Sequence, residues 1–228
     1  MHAQIVLFDG FDPLDAIAPF EVLHAGRVAS GGGITVELVS AEGPREVVSG
    51  TGGLRLRATA SLRPALAGIV LVPGASGSVS EPAELPDYDP ARPPKQDEYI
   101  PVLLGRALDT ALPALLKEAM DNPQVTVASV CGGSLVLAMA GLLEDRYATT
   151  HHLGLDVLDA SGAHAVHARV VDDGDLVTGA GVTSGLDLGL YLLEREIGPQ
   201  VAHAVEELFA HERRGVVWRK HGPTPAPL

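Results

Sequence analysis

The sequence predicts an α/β protein, in which a mostly parallel central sheet is covered by helices on both faces. Four short runs rich in β-branched residues are continuously apolar, which is typical of strands buried on both faces. These runs alternate with segments of helical periodicity, and that order requires crossover connections between parallel strands. The 228 residues are enough to bury the core of one such domain.

The predicted elements follow one another along the chain without an internal repeat. The buried strands are predicted at residues 5–8, 34–39, 69–72 and 125–130. Two further strands, at residues 164–171 and 176–178, flank a turn at 172–174. The helical segments are predicted at residues 13–29, 103–120, 133–143, 153–160, 184–197 and 200–213.

Composition excludes several classes of function. Sixteen basic residues stand against 29 acidic ones, a formal net charge of -13, which argues against a nucleic-acid partner and against a basic helix on a membrane surface. The single cysteine excludes an internal disulfide and a four-cysteine zinc site. The first apolar run is too short for a secretory signal, and no stretch is long enough to span a bilayer. We therefore expect a cytoplasmic protein with no membrane partner.

The domain organisation is predicted to be one domain over residues 1–221, with a flexible tail at 222–228. A proline-rich insertion at about 80–100 interrupts the alternation of strands and helices. So many prolines exclude a helix or a central strand there, which leaves a lid, a binding loop or a disordered segment. Because the insertion follows the strand at 69–72, we expect it at the carboxyl edge of the sheet, where such proteins bind ligands.

Cys131 is the strongest candidate for chemistry. It lies between the strand at 125–130 and the helix at 133–143, and a sharp turn of this kind presents a nucleophile at the sheet edge. The helix N-terminus is expected to lower the thiol pKa below the free value of about 8.5. A lone cysteine is more often a small buried apolar side chain. The position on the turn favours the nucleophile.

Two further side chains are candidates to assist the cysteine. Asp15 lies in the first turn of a helix that Asp12 and Pro13 begin, so it either caps that helix or faces the carboxyl edge of the sheet near Cys131. His151 is a possible base for a cysteine nucleophile, although paired histidines such as 151 and 152 are more often surface residues. His164 and His167 lie three apart on a predicted strand and point to opposite faces, so we expect no metal site.

Glycine-rich turns complete the predicted site. The amides of Gly74 and Ala75, after the strand at 69–72, could join those of the Cys131 turn in an anion-binding concavity. Neither this turn nor the one at 179–185 has the glycine spacing of a dinucleotide or Walker motif. We therefore expect a small-molecule substrate and no cofactor.

Five segments, in order along the chain, resemble the ThiJ/PfpI superfamily. They are Asp15-x-x-x-Pro19-x-Glu21-Val, Val72-Pro-Gly, Ala128-x-x-Cys131-x-Gly133, Ala148-Thr-Thr-His151 and Gly181-Val-Thr183-x-Gly185-Leu-Asp187. The resemblance implies a flavodoxin-like three-layer sandwich and a homodimer.

The resemblance also assigns roles to the candidate residues. Cys131 corresponds to the family's nucleophile, Asp15 to the acid that hydrogen-bonds its sulfur, and His151 to the family's histidine near the cysteine. The amides of Ala75 and Gly132 correspond to the oxyanion site.

Within the superfamily, the aspartate at 15 and the Thr-Thr-His and Gly-Val-Thr segments are most similar to isonitrile hydratases. This implies attack of the Cys131 thiolate on the terminal isonitrile carbon and release of an N-substituted formamide. The chain differs from that group at Gly132, where the hydratases have threonine, and from the common Gly-Gly pair at Ala75. An alanine at 75 would be strained if the turn required a positive φ there.

The sequence is also consistent with other functions. The same cysteine could carry out glyoxalase or deglycase chemistry, which would depend on His151, or amide hydrolysis. A non-catalytic stress sensor would instead oxidise Cys131 to a sulfinate stabilised by Asp15. A ligand-sensing domain of a helix-turn-helix regulator is a third class, which the length of the chain and its negative charge disfavour.

Overall fold

The computed structural model describes residues 1–82, 94–95 and 97–223. Most of the proline-rich insertion and residues 224–228 of the predicted tail lie outside these ranges. The strands are β1 (His2–Val6), β2 (Thr35–Ser40), β3 (Arg45–Val48), β4 (Arg55–Ala58), β5 (Ala60–Ser61), β6 (Ile69–Val72), β7 (Thr126–Val130), β8 (Tyr147–Ala148), β9 (His164–Ala165), β10 (Val170–Asp172), β11 (Leu176–Gly179) and β12 (Trp218–Arg219). The α-helices are α1 (Pro13–Ala29), α2 (Ile100–Leu108), α3 (Leu112–Asp121), α4 (Gly133–Met139), α5 (Leu155–Ala160), α6 (Ser184–Glu196) and α7 (Pro199–Leu208).

The central sheet confirms the predicted fold class. Its order is β12-β10-β11-β7-β6-β1-β2-β5, and every neighbouring pair is parallel except β10 and β11. Ile5 in β1 is in register with Leu38 on one side and Leu71 on the other. All four residues of β6 are buried, as expected for a strand that helices cover on both faces.

The helices form two packed groups around the sheet. Helices α1, α6 and α7 contact one another, while α2 contacts α3 and α4, and α4 contacts α5. Helix α1 begins as predicted, because the Asp12 side chain accepts a hydrogen bond from the Leu14 amide at 2.9 Å and Pro13 occupies the first turn. This start places Asp15, in the first turn of α1, just beyond the carboxyl end of β1.

Several predicted elements are shorter than expected or divided. The helix predicted at 103–120 is two helices, because the chain breaks at 109–111 and Pro113 occupies the first turn of α3. The strand predicted at 164–171 is divided between β9, which pairs with β8, and β10 of the main sheet. The β3–β4 hairpin and the edge strands β5 and β12 were not predicted.

Within the described ranges, no helix combines the length and the apolar character that crossing a membrane requires.

Candidate active site

Cys131 lies at the turn between β7 and α4, with a backbone conformation rare for a side-chain-bearing residue. Its φ is +54°, in the left-handed region that is strained for L-residues. The Cys131 amide donates to the Gly179 carbonyl at 3.1 Å, and the Cys131 carbonyl accepts from the Thr150 hydroxyl at 2.8 Å and the Ser134 hydroxyl at 3.3 Å. These bonds from three separate segments hold the strained turn in place.

The Asp15 carboxyl lies behind this turn and has no solvent exposure. Its Oδ2 accepts a hydrogen bond from the Gly74 amide at 2.9 Å. The Cys131 thiol is a weak hydrogen-bonding neighbour of the carboxyl, but Oδ1 has no regular hydrogen-bond partner among the described residues. A carboxyl with one amide donor and an incompletely satisfied second oxygen is poorly suited to carry a full negative charge.

Burial raises the Asp15 pKa well above its ordinary value, and the nearby charge of Asp12 raises it further. The hydrogen bonds from Gly74 and from the Cys131 thiol lower the Asp15 pKa but do not outweigh burial. The carboxyl therefore retains a proton more readily than an exposed aspartate does.

The thiol does not have the lowered pKa that the sequence predicts. Burial is the largest cause that raises the pKa of Cys131, followed by the charge of Asp15, and the Gly132 amide only partly offsets them. The prediction considered the helix N-terminus but not the burial of the thiol by distant segments. The charge of Asp15 disappears once that carboxyl is protonated, so the two groups act as a pair in which one proton is shared.

Backbone amides of two turns meet beside the sulfur. The Gly132 amide interacts with the thiol and lowers its pKa, and a Cβ built on Gly132 would lie 3.9 Å from the Ala75 nitrogen. In the described residues neither the Ala75 nor the Gly132 amide donates to a backbone carbonyl. The Gly74 amide, in contrast, is already bonded to Asp15. The Ala75 and Gly132 amides are thus not used by backbone carbonyls of the described ranges and lie beside the sulfur, while Gly74 positions the carboxyl.

Two glycines are required by close approach at this turn. A Cβ on Gly74 would lie 2.6 Å from the Gly132 nitrogen, and one on Gly133 would lie 2.0 Å from the Val72 carbonyl oxygen. Ala75 is not among the residues with positive φ, so the alanine at this position is not strained in the way considered above. Gly132 also has an ordinary φ of -68°.

His151 is in the same cavity as Cys131. Its Nδ1 accepts a hydrogen bond from the Leu153 amide at 3.3 Å, which leaves the ring proton on Nε2. Burial lowers the pKa of His151, and the neighbouring His152, whose ring centroid is 4.2 Å away, lowers it further. His151 is therefore suited to act as a neutral donor.

A cavity of about 350 Å³ opens onto these groups. Cys131, Gly132, Ala75 and His151 line one part of it, whereas Asp15 and Gly74 lie behind its wall. The rest of the lining is largely apolar, a feature that the sequence analysis missed. The apolar residues come from segments that are far apart in the chain, so no local pattern indicates that they share one cavity. Asp12, predicted only as a helix cap, also lines it.

Comparisons with known proteins identify relatives of this chain. The model of the DJ-1/PfpI family matches residues 106–195, which include Cys131 and His151. An isonitrile hydratase from Pseudomonas putida is 33% identical over 208 residues, covering 90% of this chain and 76% of the hydratase. The HTH-type transcriptional regulator CdhR from Pseudomonas aeruginosa is 37% identical over 123 residues, covering 51% of this chain and 36% of the regulator.

Solved structures give the same fold. A ThiJ/PfpI family protein from Pseudomonas syringae superposes with a TM-score of 0.70 at 25% identity, over 94% of this chain and 76% of that one. DJ-1beta from Drosophila melanogaster superposes with a TM-score of 0.70 at 18% identity, over 92% of this chain and 98% of that one. The hydratase match spans most of both chains, the family model matches residues 106–195, and a solved member has the same fold, so the chain belongs to the DJ-1/PfpI family.

Proposed function

We propose that the protein is an enzyme with Cys131 as its nucleophile, and that it hydrates an isonitrile to an N-substituted formamide. The observation that carries this proposal is the fully buried Asp15 carboxyl, with its raised pKa, in contact with the Cys131 thiol. Addition to an isonitrile requires both a soft nucleophile and an acid that can protonate the same carbon. A shared proton between a thiol and a buried carboxyl supplies both.

The first half of the reaction forms a covalent intermediate. The reactive form has the proton on Asp15 and the negative charge on the Cys131 sulfur. The sulfur bonds to the terminal isonitrile carbon, and the Asp15 proton is transferred to that carbon. The product is a thioimidate bound to the protein, and Asp15 is left as a carboxylate.

The second half releases the product and restores both groups. Asp15 takes a proton from water as the oxygen adds to the thioimidate carbon. The new hydroxyl proton moves to nitrogen, the carbon–sulfur bond breaks, and the formamide leaves with Cys131 again as thiolate. The amides of Ala75 and Gly132, which donate to no backbone carbonyl among the described residues, are suited to hold the developing charge on oxygen. The overall change is the addition of one water to the isonitrile.

Turnover of cyclohexyl isocyanide, with detection of N-cyclohexylformamide, tests this proposal directly. We expect Cys131→Ser and Asp15→Asn each to abolish turnover, because one removes the soft nucleophile and the other the transferable proton. Asp121→Asn is the control, since Asp121 is an exposed partner of Lys117 on α3 and does not line the cavity. Turnover that survives either active-site substitution contradicts the mechanism.

Methylglyoxal distinguishes glyoxalase or deglycase chemistry at the same cysteine. That reaction is expected to depend on His151, so His151→Gln should reduce methylglyoxal conversion far more than isonitrile hydration. An activity confined to methylglyoxal would replace the hydratase proposal. Peptide and primary amide substrates test amidase chemistry in the same way.

A binding role without turnover is the second candidate, and the similarity to a transcriptional regulator favours it. In that case neither cyclohexyl isocyanide nor methylglyoxal would be converted. Stoichiometric oxidation of Cys131 by peroxide, without turnover of any substrate, would support the sensor instead of the enzyme.

A further inference from the structure

We propose that the cavity at Cys131 accepts uncharged electrophiles with an apolar substituent and rejects anionic ones, and that Asp12 enforces this selection. The inference deepens the proposed function and rests on it for the reaction itself. Its basis is the division of the cavity into an apolar wall and a reacting end that holds a carboxylate.

The apolar wall is built by side chains from three segments. Residues of α2 face residues of α4 and of the segment around α5, and several remain partly exposed at the cavity mouth. Leu153 is 62% exposed and Val157 is 57% exposed, so both present apolar surface that a substituent entering the cavity could cover. The wall consists mainly of Ile100, Leu104, Leu135, Met139, Leu153 and Val157.

The reacting end contains negative charge and, in the described lining, no basic side chain. Neither lysine nor arginine is present among the cavity residues that the structure describes. A substrate carboxylate or phosphate would therefore lose water without gaining an opposite charge there. His151 does not compensate, because its lowered pKa favours the neutral ring.

Asp12 is held rigidly at this end of the cavity. Its side chain accepts a hydrogen bond from the Leu14 amide at 2.9 Å, and its own amide donates to the Gly74 carbonyl at 2.8 Å. The second bond fixes Asp12 beside the turn that carries Ala75. The charge of Asp12 reaches both reacting groups, since it raises the pKa of Asp15 and of Cys131. An incoming anion would experience the same field.

Alkylation of Cys131 measures this selection independently of any enzymatic activity. Cys131 is the only cysteine, so its rates with neutral iodoacetamide and anionic iodoacetate are unambiguous. The iodoacetamide rate is divided by the iodoacetate rate, once for the folded protein and once for the same chain in urea. Within each ratio the thiolate content cancels, and dividing the folded ratio by the unfolded one cancels the intrinsic reactivity of the two reagents. We expect the folded protein to favour iodoacetamide at least roughly fivefold more than the unfolded chain does.

Asp12→Asn isolates the contribution of the carboxylate. Asparagine caps a helix about as well as aspartate, so α1 should still begin at the same residue. We expect this variant to bring the folded ratio back toward the unfolded one. An equal ratio in the folded and unfolded wild type overturns the inference whether or not the variant folds. If the wild type is selective but Asp12→Asn has the same folded ratio, Asp12 does not have the proposed role.

Matched isonitriles connect the selection to turnover. Ethyl isocyanoacetate and isocyanoacetate differ only in the ester that removes the charge, and we expect the ester to have a kcat/KM at least roughly tenfold higher. Equal values contradict the selection while leaving the hydratase proposal intact. Absence of turnover with these compounds and with cyclohexyl isocyanide contradicts the hydratase proposal. In that case the alkylation ratios alone test whether the cavity rejects anions.

Discussion

At the residue scale, the reacting pair brings two acidic groups together in a buried site. The Asp15 carboxyl has no solvent exposure, and burial together with the charge of Asp15 raises the pKa of the Cys131 thiol. Two negative charges placed side by side would repel each other. Only one negative charge is therefore easily accommodated. The proton can lie on sulfur or on oxygen, and the second arrangement is the one that reacts.

This arrangement predicts that Asp15→Asn stabilises the fold while it abolishes activity. A carboxyl with a raised folded pKa stabilises the protein fully below its unfolded pKa of about 3.9, and this stabilisation is lost as the pH rises toward the folded pKa. The neutral asparagine avoids that loss and can still accept the Gly74 hydrogen bond. At pH 8 we expect a gain of about 1 kcal/mol or more.

Thermal unfolding of the wild type and Asp15→Asn between pH 4 and pH 8 measures this effect. The advantage of the variant should be smallest at pH 4 and should grow with pH. A variant that is less stable than the wild type at every pH would show that the buried carboxylate is satisfied in the native protein.

The location of the nucleophile could be predicted from sequence, but its ionisation could not. A buried strand, a cysteine, two glycines and a helix are adjacent in the chain, so the turn has a local signature. The pKa of Cys131 depends on burial and on the charge of Asp15, which lies in the first turn of α1, far from Cys131 in sequence. The residues around Cys131 in the sequence indicate the nearby helix N-terminus, but they do not indicate how deeply the folded protein buries the thiol.

At the element scale, the junction of β7 and α4 depends on two neighbouring glycines for different reasons. Gly133 packs directly against the end of β6, where an added Cβ would lie 2.0 Å from the Val72 oxygen. Gly132 has space, because its nearest neighbour to an added Cβ is the Gly74 Cα at 3.5 Å. The two positions therefore form a matched pair for substitution.

We expect Gly133→Ala to lower the free energy of unfolding by at least about 2 kcal/mol, because either β6 or α4 must move. Gly132→Ala should change it by about 1 kcal/mol or less, since Gly132 has an ordinary φ. Urea denaturation of both variants measures the difference. Equal effects at the two positions would show that the turn relaxes more freely than its packing indicates.

The predicted elements differ most from the structure where distant pairing decides the outcome. Helix α1 has local start signals in Asp12 and Pro13 and agrees with its prediction at both ends. Strand β12 is only two residues long and exists because it pairs with β10. The break between α2 and α3 had a local signal in Pro113, which the apolar periodicity of residues 103–120 obscured.

At the scale of the whole molecule, the C-terminal segment returns to the far edge of the sheet. Trp218 in β12 pairs in register with Val171 of β10, and its ring stacks on Tyr147 with centroids 5.0 Å apart. It is the only tryptophan in the chain. Its fluorescence therefore reports on one edge of the sheet, whereas the reactivity of Cys131 reports on the centre.

If residues 1–221 are one domain, as the sequence predicts, these reports should agree. We expect Trp218 fluorescence, far-ultraviolet circular dichroism and exposure of the Cys131 thiol to have the same midpoint in urea. Two separated transitions would instead divide the chain into independent units.

The homodimer implied by the family resemblance stays a prediction that analytical ultracentrifugation measures.

The ends of the central sheet have a consequence for behaviour at high concentration. The outermost strands, β5 and β12, are each two residues long, so each offers little unpaired backbone to a second sheet. Long open edges are the places where β-proteins join into aggregates. Edge strands this short limit the templates that β5 and β12 themselves present to a growing fibril.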